Sequence, residues 1–338
     1  MNEEHIKHYT IPVFIPELAC PFQCVFCDQK KISGRLESPL PGEIKQTIDR
    51  HISTFPPAGR VIEIGFFGGN FTGIPIELQE LYLKTAEPYI NSGIISGIRL
   101  STRPDYISSE KLSLLKRYGV KVIELGAQSL NADVLRLSGR GHSLSHIEQA
   151  SGMIIREGFS LGLQMMIGLP GDTLERSIST ALRIAELGAD NTRIYPTLVI
   201  KGTKLEEMYL RGKYTPLSLR EAVEWSKEVL KIFEARNVSV IRMGLHPSEG
   251  LLSGECLAAG PYHISFRELV LTSIWGELLK PLCGNAGESI TVSVPPDEYN
   301  YAIGYGAVNK KELNRCFRKV KFIRDASLTG REFNADYY

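Results

Sequence analysis

Apolar runs rich in β-branched and aromatic residues alternate with longer amphipathic segments from about residue 9 to about residue 243. Short apolar runs are typical of buried strands, whereas apolar positions that recur every three or four residues are typical of helices. The pattern therefore predicts consecutive βα units on a parallel sheet. The predicted strands are Thr10–Ile15, Arg60–Phe67, Gly97–Ser101, Val120–Gly126, Phe159–Met166, Asn191–Leu198 and Val238–Met243.

The repeated βα unit fits two α/β architectures, an open doubly wound sheet and a full or partial (β/α) barrel. The positions of unusual residues favour the barrel, because they follow the carboxyl ends of predicted strands, where barrels build their sites. These residues are Cys20–Cys27, Gly68–Asn70, Ser101–Arg103, Gln128 and Gly168–Pro170. We expect one rim of the barrel to collect them.

The alternation stops near residue 244. The pattern beyond it predicts an apolar helix at Ser265–Leu279, a strand at Ile290–Val294, a helix at Lys310–Val320 and a strand at Lys321–Ile323. We therefore predict two parts, a barrel over residues 1–245 and a small C-terminal α+β element over residues 246–338.

The charges of the chain nearly cancel, since it has 39 Lys and Arg residues and 38 Asp and Glu residues. This balance gives the whole molecule no strong field toward nucleic acid or a membrane surface. No uncharged apolar run approaches the roughly 18 residues that span a bilayer, and the first residues do not form a signal peptide. We expect a soluble, cytoplasmic protein with no membrane contact and no sign of DNA binding.

Three of the six cysteines, Cys20, Cys24 and Cys27, lie close together directly after the first predicted strand. The other three are scattered, which is not the distribution of a secreted disulfide framework; they are Cys256, Cys283 and Cys316. The group of three therefore predicts a metal site.

Three thiolates on one short loop can hold one [4Fe–4S] cubane and leave one iron open to bind a ligand. Structural zinc usually takes four ligands in two separated pairs, and the sequence has no second pair, although His5 or His8 can supply a fourth ligand. Inert core cysteines are a third alternative. We favour the iron–sulfur cluster over zinc.

The spacing Cys20-x₃-Cys24-x₂-Cys27, with Phe26 before the last cysteine, resembles the C-x₃-C-x-Φ-C loop of the radical S-adenosylmethionine (SAM) superfamily. Within that superfamily the chain resembles most the radical SAM domain of the Elongator catalytic subunit, over roughly residues 9 to 245. It is more distantly similar to oxygen-independent coproporphyrinogen oxidase, but Gln29 stands where that family has a further cysteine. The similar stretches are Phe67–Thr72, Ser101–Tyr106, Glu124–Ser129, Gly139–His142, Met165–Gly171 and Ile194–Thr203.

The resemblance implies that an external one-electron donor reduces the cluster and that SAM is cleaved to a 5′-deoxyadenosyl radical, which takes hydrogen from a substrate inside the barrel. It also implies SAM contacts by Phe26 at the adenine, Gly68, Gly69 and Asn70 at the methionine part, Arg140 at the carboxylate, Gln128 and Gln164 at the ribose or methionine part, and Ser101 on the same rim. Asn70 stands where many members have an acidic residue, and its side-chain oxygen can accept a bond from the SAM amino group. Each of these residues can instead be a packed or solvated rim residue.

The substrate is not specified by these motifs. Elongator-like proteins act on wobble uridine in tRNA, which makes RNA a candidate, but the residues after the barrel are too few for an acetyltransferase domain. Cys256 is a weak catalytic candidate, or else a small buried residue. The alternative function is a non-catalytic iron–sulfur or zinc scaffold that binds RNA through its tail.

The basic tail, residues 310 to 332, is the feature that suggests RNA. It contains eight basic side chains against three acidic ones, a pattern that fits a phosphate-backbone patch or an ordinary solvated face. The basic residues are Lys310, Lys311, Arg315, Arg318, Lys319, Lys321, Arg324 and Arg331.

Overall fold

The computed structural model describes residues 7–15, 24–28, 37–284 and 287–338. Cys20 and His5 therefore lie outside the described residues. All seven predicted barrel strands are present, with ends that differ by a few residues. The strands are β1 (Lys7–Phe14), β2 (Arg60–Phe67), β3 (Gly97–Thr102), β4 (Val120–Gln128), β5 (Ser160–Ile167), β6 (Asn191–Pro196), β7 (Val199–Ile200), β8 (Ser239–Met243), β9 (Leu257–Ala259), β10 (Ser289–Val294), β11 (Lys319–Arg324) and β12 (Asn334–Tyr337).

The helices that precede β8 connect the strands of the barrel, and those that follow β8 belong to the C-terminal segment. They are α1 (Pro41–Thr54), α2 (Ile76–Asn91), α3 (Ser109–Arg117), α4 (Ala132–Leu137), α5 (Leu144–Arg156), α6 (Leu174–Glu186), α7 (Lys204–Leu210), α8 (Leu219–Ala235), α9 (Glu249–Leu252), α10 (Phe266–Leu279), α11 (Tyr299–Ile303) and α12 (Val308–Leu313). No described helix is long and apolar enough to cross a membrane.

Strands β1 to β6 and β8 form one parallel sheet in that order, curled into a half-barrel with β1 and β8 at its edges. The prediction of a full or partial (β/α) barrel is confirmed in its partial form. Alternate residues of a strand point to opposite faces, so Ile62, Ile64 and Phe66 of β2 enter the core under the helices. The residues between them, such as Glu63, face the concave side.

Two short strands, which the sequence pattern did not predict, lie beyond the carboxyl end of the sheet. Strand β7 follows β6 directly and pairs antiparallel with β9. Ala258 and Ala259 of β9 pack against a small apolar cluster that also contains Cys24 and Phe26. The segment after the barrel thus returns to the rim that carries the cysteine loop.

The C-terminal residues form a three-stranded sheet in the order β11-β10-β12. Helix α10 links the two parts, since Val270 and Ile274 lie in the large core and Trp275 lies in a second, smaller core. The boundary between the parts near residue 245 stays a prediction.

Two details of the C-terminal part differ from the predictions. The predicted helix over Lys310–Val320 is wrong beyond Leu313, where α12 ends, because Val320 and Phe322 alternate with exposed lysines and are buried as a strand. Cys283 and Cys316, which the sequence pattern does not predict to be paired, form a disulfide. This cross-link joins the segment after α10 to the segment after α12.

Candidate active site

The described part of the cysteine loop is anchored to the rim by backbone hydrogen bonds. Val25 N donates to Ser138 O over 3.0 Å, Leu205 N donates to Val25 O over 2.7 Å, and Cys27 N donates to Cys24 O over 3.0 Å. The last bond closes a turn that brings Cys24 and Cys27 to the same loop tip. Cys24 is buried in the apolar cluster named above.

Arg140 joins the cysteine loop to the end of β4. Its Nη1 donates to Cys24 Sγ over 3.3 Å, and its Nη2 donates to the carbonyl of Gly126 over 2.5 Å. The side chain is buried, with 6% of its surface exposed. A guanidinium that is held in this position by two of its five N–H groups can present the others to a ligand at the rim.

Two unpartnered polar atoms mark the space beside Arg140. The Nε of Arg140 and the Oε1 of Gln128 are both buried and have no hydrogen-bond partner among the described residues. Gln128 ends β4 with a φ of 66°, a backbone conformation that is rare outside glycine, directly after a bulge in the sheet. Buried polar atoms without partners are costly, so this pair indicates a place for a polar ligand.

Arg103 holds the backbone of Arg140 in place. Its guanidinium donates to both carboxylate oxygens of Asp105, over 3.0 and 2.9 Å, and to the carbonyl of Arg140 over 2.8 Å. His142 lies beside these groups and is buried. Burial and the positive charges of Arg140 and Arg103 lower the pKa of His142 to about 3, so its ring is neutral.

The loop after β2 provides the next part of the rim. Gly68 has a φ of 99°, and a Cβ at this position would lie 3.1 Å from the carbonyl of Ile15, so glycine is required there. Asn70 is buried, and its Oδ1 accepts bonds from Thr102 Oγ1 over 2.7 Å and from Arg103 N over 3.2 Å. This oxygen therefore ties β2 to β3, and its predicted bond to a SAM amino group stays a prediction. Gly69 follows Gly68 in the same bend.

Ser101 and Gln164 meet on the concave face of the half-barrel. Gln164 Nε2 donates to Ser101 Oγ over 3.1 Å and to Glu124 Oε2 over 3.0 Å. Glu124 is completely buried and also accepts from Arg99 over 3.0 Å and from Arg193 over 2.5 and 2.9 Å. Two predicted rim residues are thus part of a charged network inside the sheet.

The charges of this network determine its protonation. Burial alone would raise the pKa of Glu124, but the hydrogen bonds and positive charges of Arg193 and Arg99 hold the pKa below its usual value. The carboxylate is therefore ionised at neutral pH. The sequence reasoning did not assign roles to Arg99, Glu124 or Arg193. The available signal was that each is a charged residue within a mostly apolar strand.

Phe26 and Cys256 occupy positions that differ from the rest of the predicted set. The Phe26 ring is buried among Leu169, Leu205 and Tyr214, so it packs under the loop. The Cys256 sulfur lies against Gly250, because a Cβ added to Gly250 would approach it to 2.4 Å. The backbone carbonyl of Cys256 accepts a hydrogen bond from Lys201 N. The structure thus brings Cys24, Gln128 and Arg140 together and places Cys256 on the β7–β9 segment.

The described residues fit the predicted cofactors. Two thiols share one loop, and a buried cation and two unpartnered polar atoms face the same rim. Within the described ranges no three metal-binding side chains converge, and the third cysteine of the predicted set, Cys20, lies outside those ranges.

Comparison with known families agrees with the resemblance seen in the sequence. Residues 15–184 match the radical SAM superfamily, and residues 189–275 match a radical SAM C-terminal domain. The first match covers half of the chain and includes the cysteine loop, the Gly68 bend and Arg140.

Individual proteins are similar to parts of the chain. An uncharacterized protein of Methanocaldococcus jannaschii is 32% identical over 225 residues, which are 62% of this chain and 67% of that protein. A tRNA uridine(34) acetyltransferase of Methanocaldococcus infernus is 30% identical over 48% of this chain. The chain spans only 34% of the length of that acetyltransferase.

A solved structure shows the same fold. The archaeal Methanocaldococcus infernus Elp3, with its N-terminus deleted, superposes with a TM-score of 0.65 at 22% identity, over 80% of this chain and 63% of that chain. At this identity the likeness supports the fold alone.

Proposed function

Because the chain belongs to the radical SAM superfamily, we propose that it is an enzyme that cleaves SAM at a [4Fe–4S] cluster held by Cys20, Cys24 and Cys27. The observation that carries this proposal is the buried Arg140, which contacts Cys24 Sγ and leaves its Nε without a partner. A cluster held by these cysteines would supply radical chemistry by reductive cleavage of SAM, with an external one-electron donor as its source of electrons.

The residues of this chain bind and orient SAM in this proposal. Arg140 pairs with its carboxylate, for which a guanidinium fork is well shaped. Gln128 and Gln164 bond to the ribose or the methionine part, and Gly68 lets the backbone approach closely. The apolar cluster around Phe26 excludes water, which protects a radical from unwanted hydrogen donors.

Anaerobic reconstitution tests this proposal. Iron and sulfide content are measured first, followed by 5′-deoxyadenosine formed from SAM with a strong reductant. We expect about four irons in the wild type, and loss of both iron and SAM cleavage in Cys24→Ala. Cys256→Ala is the matched control for iron content, because it removes a cysteine outside the loop. Zinc in place of iron, or a full cluster that leaves SAM intact, would contradict the proposal and favour the scaffold alternative.

We further propose that the substrate is RNA. One relative is named a tRNA uridine(34) acetyltransferase. In the basic tail, some side chains contact other residues of the chain and others are exposed to solvent. Arg331 forms two 2.7 Å bonds to Glu234, and the Arg324 guanidinium lies 4.2 Å from the centre of the Tyr299 ring. Lys319 and Lys321 are exposed on one face of the edge strand β11, which suits contact with a phosphate backbone.

Salt-dependent binding to a transcribed tRNA tests the RNA proposal. We expect Lys319→Gln/Lys321→Gln to weaken binding and to reduce the slope of log affinity against log salt by about 2, since each lost phosphate contact contributes roughly 0.9. Lys84→Gln/Lys116→Gln removes the same charge from exposed positions on the barrel helices and is the matched control. Equal slopes in all three proteins would contradict this role of the tail.

A further inference from the structure

One row of residues crosses the concave face of the half-barrel. The parallel registers place Gly126 of β4 beside Gln164 of β5, Gln164 beside Arg193 of β6, and Arg193 beside Arg242 of β8. Residues in register on neighbouring strands point to the same face. The row therefore runs from the contact of Arg140 with Gly126 to Arg242 at the far edge of the sheet.

The charges on this face do not balance. Arg99 and Arg193 share the carboxylate of Glu124, and Arg99 also binds Glu63 over 2.8 Å. Both carboxylates of the network are thereby used. Arg242 forms no ion pair with a carboxylate of the described residues, and its Nη1 instead lies 3.4 Å from His246 Nδ1. An arginine on the concave face thus carries an uncompensated positive charge.

Two neutral donors lie near Arg242. Tyr195 stands two residues after Arg193 and so points to the same face. Burial raises the pKa of Tyr195, so its hydroxyl keeps its proton. Burial and the charge of Arg242 lower the pKa of His246, which keeps the imidazole neutral at neutral pH. A guanidinium with a phenol and an imidazole beside it is a donor set suited to an oxyanion.

The position of this group distinguishes it from the proposed SAM contacts. Those contacts come from the cysteine loop and from β2 to β5, together with Arg140, whereas Tyr195 and Arg242 come from β6 and β8. The half of the face next to β8 is therefore left for the substrate.

We propose that Arg242, with Tyr195 and His246, binds a phosphate group of the substrate. This inference rests on the proposed function, because it assigns one half of the rim to SAM. The phosphate belongs either to a mononucleotide or to the backbone of an RNA, and the two sources share the same oxyanion chemistry.

Calorimetric titration of the reconstituted protein with uridine 5′-monophosphate, uridine and a 17-nucleotide RNA stem–loop tests the proposal. We expect Arg242→Gln to weaken binding of a phosphate-bearing probe about tenfold or more, as expected for a charge-assisted bond, and to leave uridine unaffected. Arg242→Lys keeps the charge but not the fork, and is expected to give an intermediate affinity. Arg236→Gln, an exposed position beyond the opposite end of β8, is the matched control.

The outcomes separate the sources and the proposals. An effect on uridine 5′-monophosphate identifies a mononucleotide-sized ligand, and an effect on the stem–loop alone identifies an RNA phosphodiester. Equal affinities of the wild type and Arg242→Gln for both probes, or no binding of either probe to the wild type, would overturn the phosphate site. SAM cleavage without substrate is measured on the wild type and on the Arg236→Gln control, and we expect it to be the same in both. Its absence in the wild type would refute the proposed function, while the binding comparison would still decide on the phosphate site.

Discussion

Arg140 Nη1 donates to Cys24 Sγ over 3.3 Å, across 116 positions of the sequence. The contact joins the loop that is proposed to carry the cluster to the residue that is proposed to carry the SAM carboxylate. A hydrogen bond to a cysteine sulfur is also one of the features that set the potential of an iron–sulfur cluster. In the proposed function Arg140 would therefore contact both the cluster loop and SAM.

Replacing Arg140 is expected to weaken SAM binding. A hydrogen bond to a charged group contributes about 1.5–3 kcal/mol, so Arg140→Gln should raise the SAM dissociation constant roughly 10- to 100-fold. Arg140→Lys keeps the charge but loses the fork, and it should recover only part of the affinity. The dissociation constant is measured by calorimetry on protein whose iron content equals that of the wild type.

Arg136→Gln is the control for this change. Arg136 lies on α4, a few residues before Arg140, and its side chain is 69% exposed. We expect this variant to bind SAM like the wild type. An unchanged dissociation constant in Arg140→Gln, with the cluster intact, would refute the assigned role.

Glu124 is expected to be the most sensitive charge inside the half-barrel. Glu124→Gln leaves Arg99 and Arg193 without their shared carboxylate, and breaking a buried pair in this way costs about 3–5 kcal/mol of unfolding free energy. Glu63→Gln is the comparison, because Glu63 is more exposed, with 18% of its side chain accessible against 1% for Glu124. Urea denaturation at pH 7 should show the larger loss for Glu124→Gln.

The pH dependence of the same variant follows from the lowered pKa of Glu124. As the pH falls, Glu124 takes up a proton in the unfolded chain before it does so in the folded one. The stabilisation from its ionised carboxylate is therefore complete above about pH 4.5 and is lost as the pH falls further. The difference in unfolding free energy between the wild type and Glu124→Gln should therefore shrink as the pH falls from 5 towards 3. A constant difference over this range would show that the charge of Glu124 is not the cause.

The barrel strands and the cysteine loop were predictable because their signals are local. Strand β2, for example, has the predicted bounds Arg60–Phe67, since it is a short, mostly apolar run with turn residues on both sides. The disulfide between Cys283 and Cys316 was missed, because 33 positions separate the two cysteines and only the packing of the C-terminal sheet brings them together.

The sequence pattern predicts helix for the first two residues of strand β11, for a different physical reason. Lysine favours helices in isolation, yet it is also a common residue of edge strands, where it prevents pairing with other chains. The ion pair of Glu124 with Arg193 depends on the curvature of the sheet, and the two residues are 69 positions apart. Pattern reasoning shows that each is a charge in an apolar strand, but it does not show that they are partners.

His142 is expected to stay neutral across the physiological range. Its pKa of about 3 lies well below the usual 6.5. As the pH falls, His142 is therefore protonated in the unfolded chain before it is protonated in the folded one, so acid favours unfolding. Below about pH 6.5 the residue should cost about 1.4 kcal/mol of stability per pH unit. His142→Asn should remove this contribution. NMR checks the prediction directly, since the ring signal missing from His142→Asn should not titrate between pH 5 and pH 8 in the wild type.

The disulfide between Cys283 and Cys316 is expected to stabilise the C-terminal sheet. It closes a loop with a sequence separation of 33, and the loss of such a cross-link costs about 3–4 kcal/mol through the entropy of the unfolded chain. Cys283→Ala/Cys316→Ala should therefore unfold at lower urea than the oxidised wild type. The reduced wild type should match the variant, because both lack the same constraint. Mass spectrometry after alkylation counts the free thiols. Alkylation of all six cysteines in the non-reduced wild type, Cys283 and Cys316 included, would contradict the cross-link.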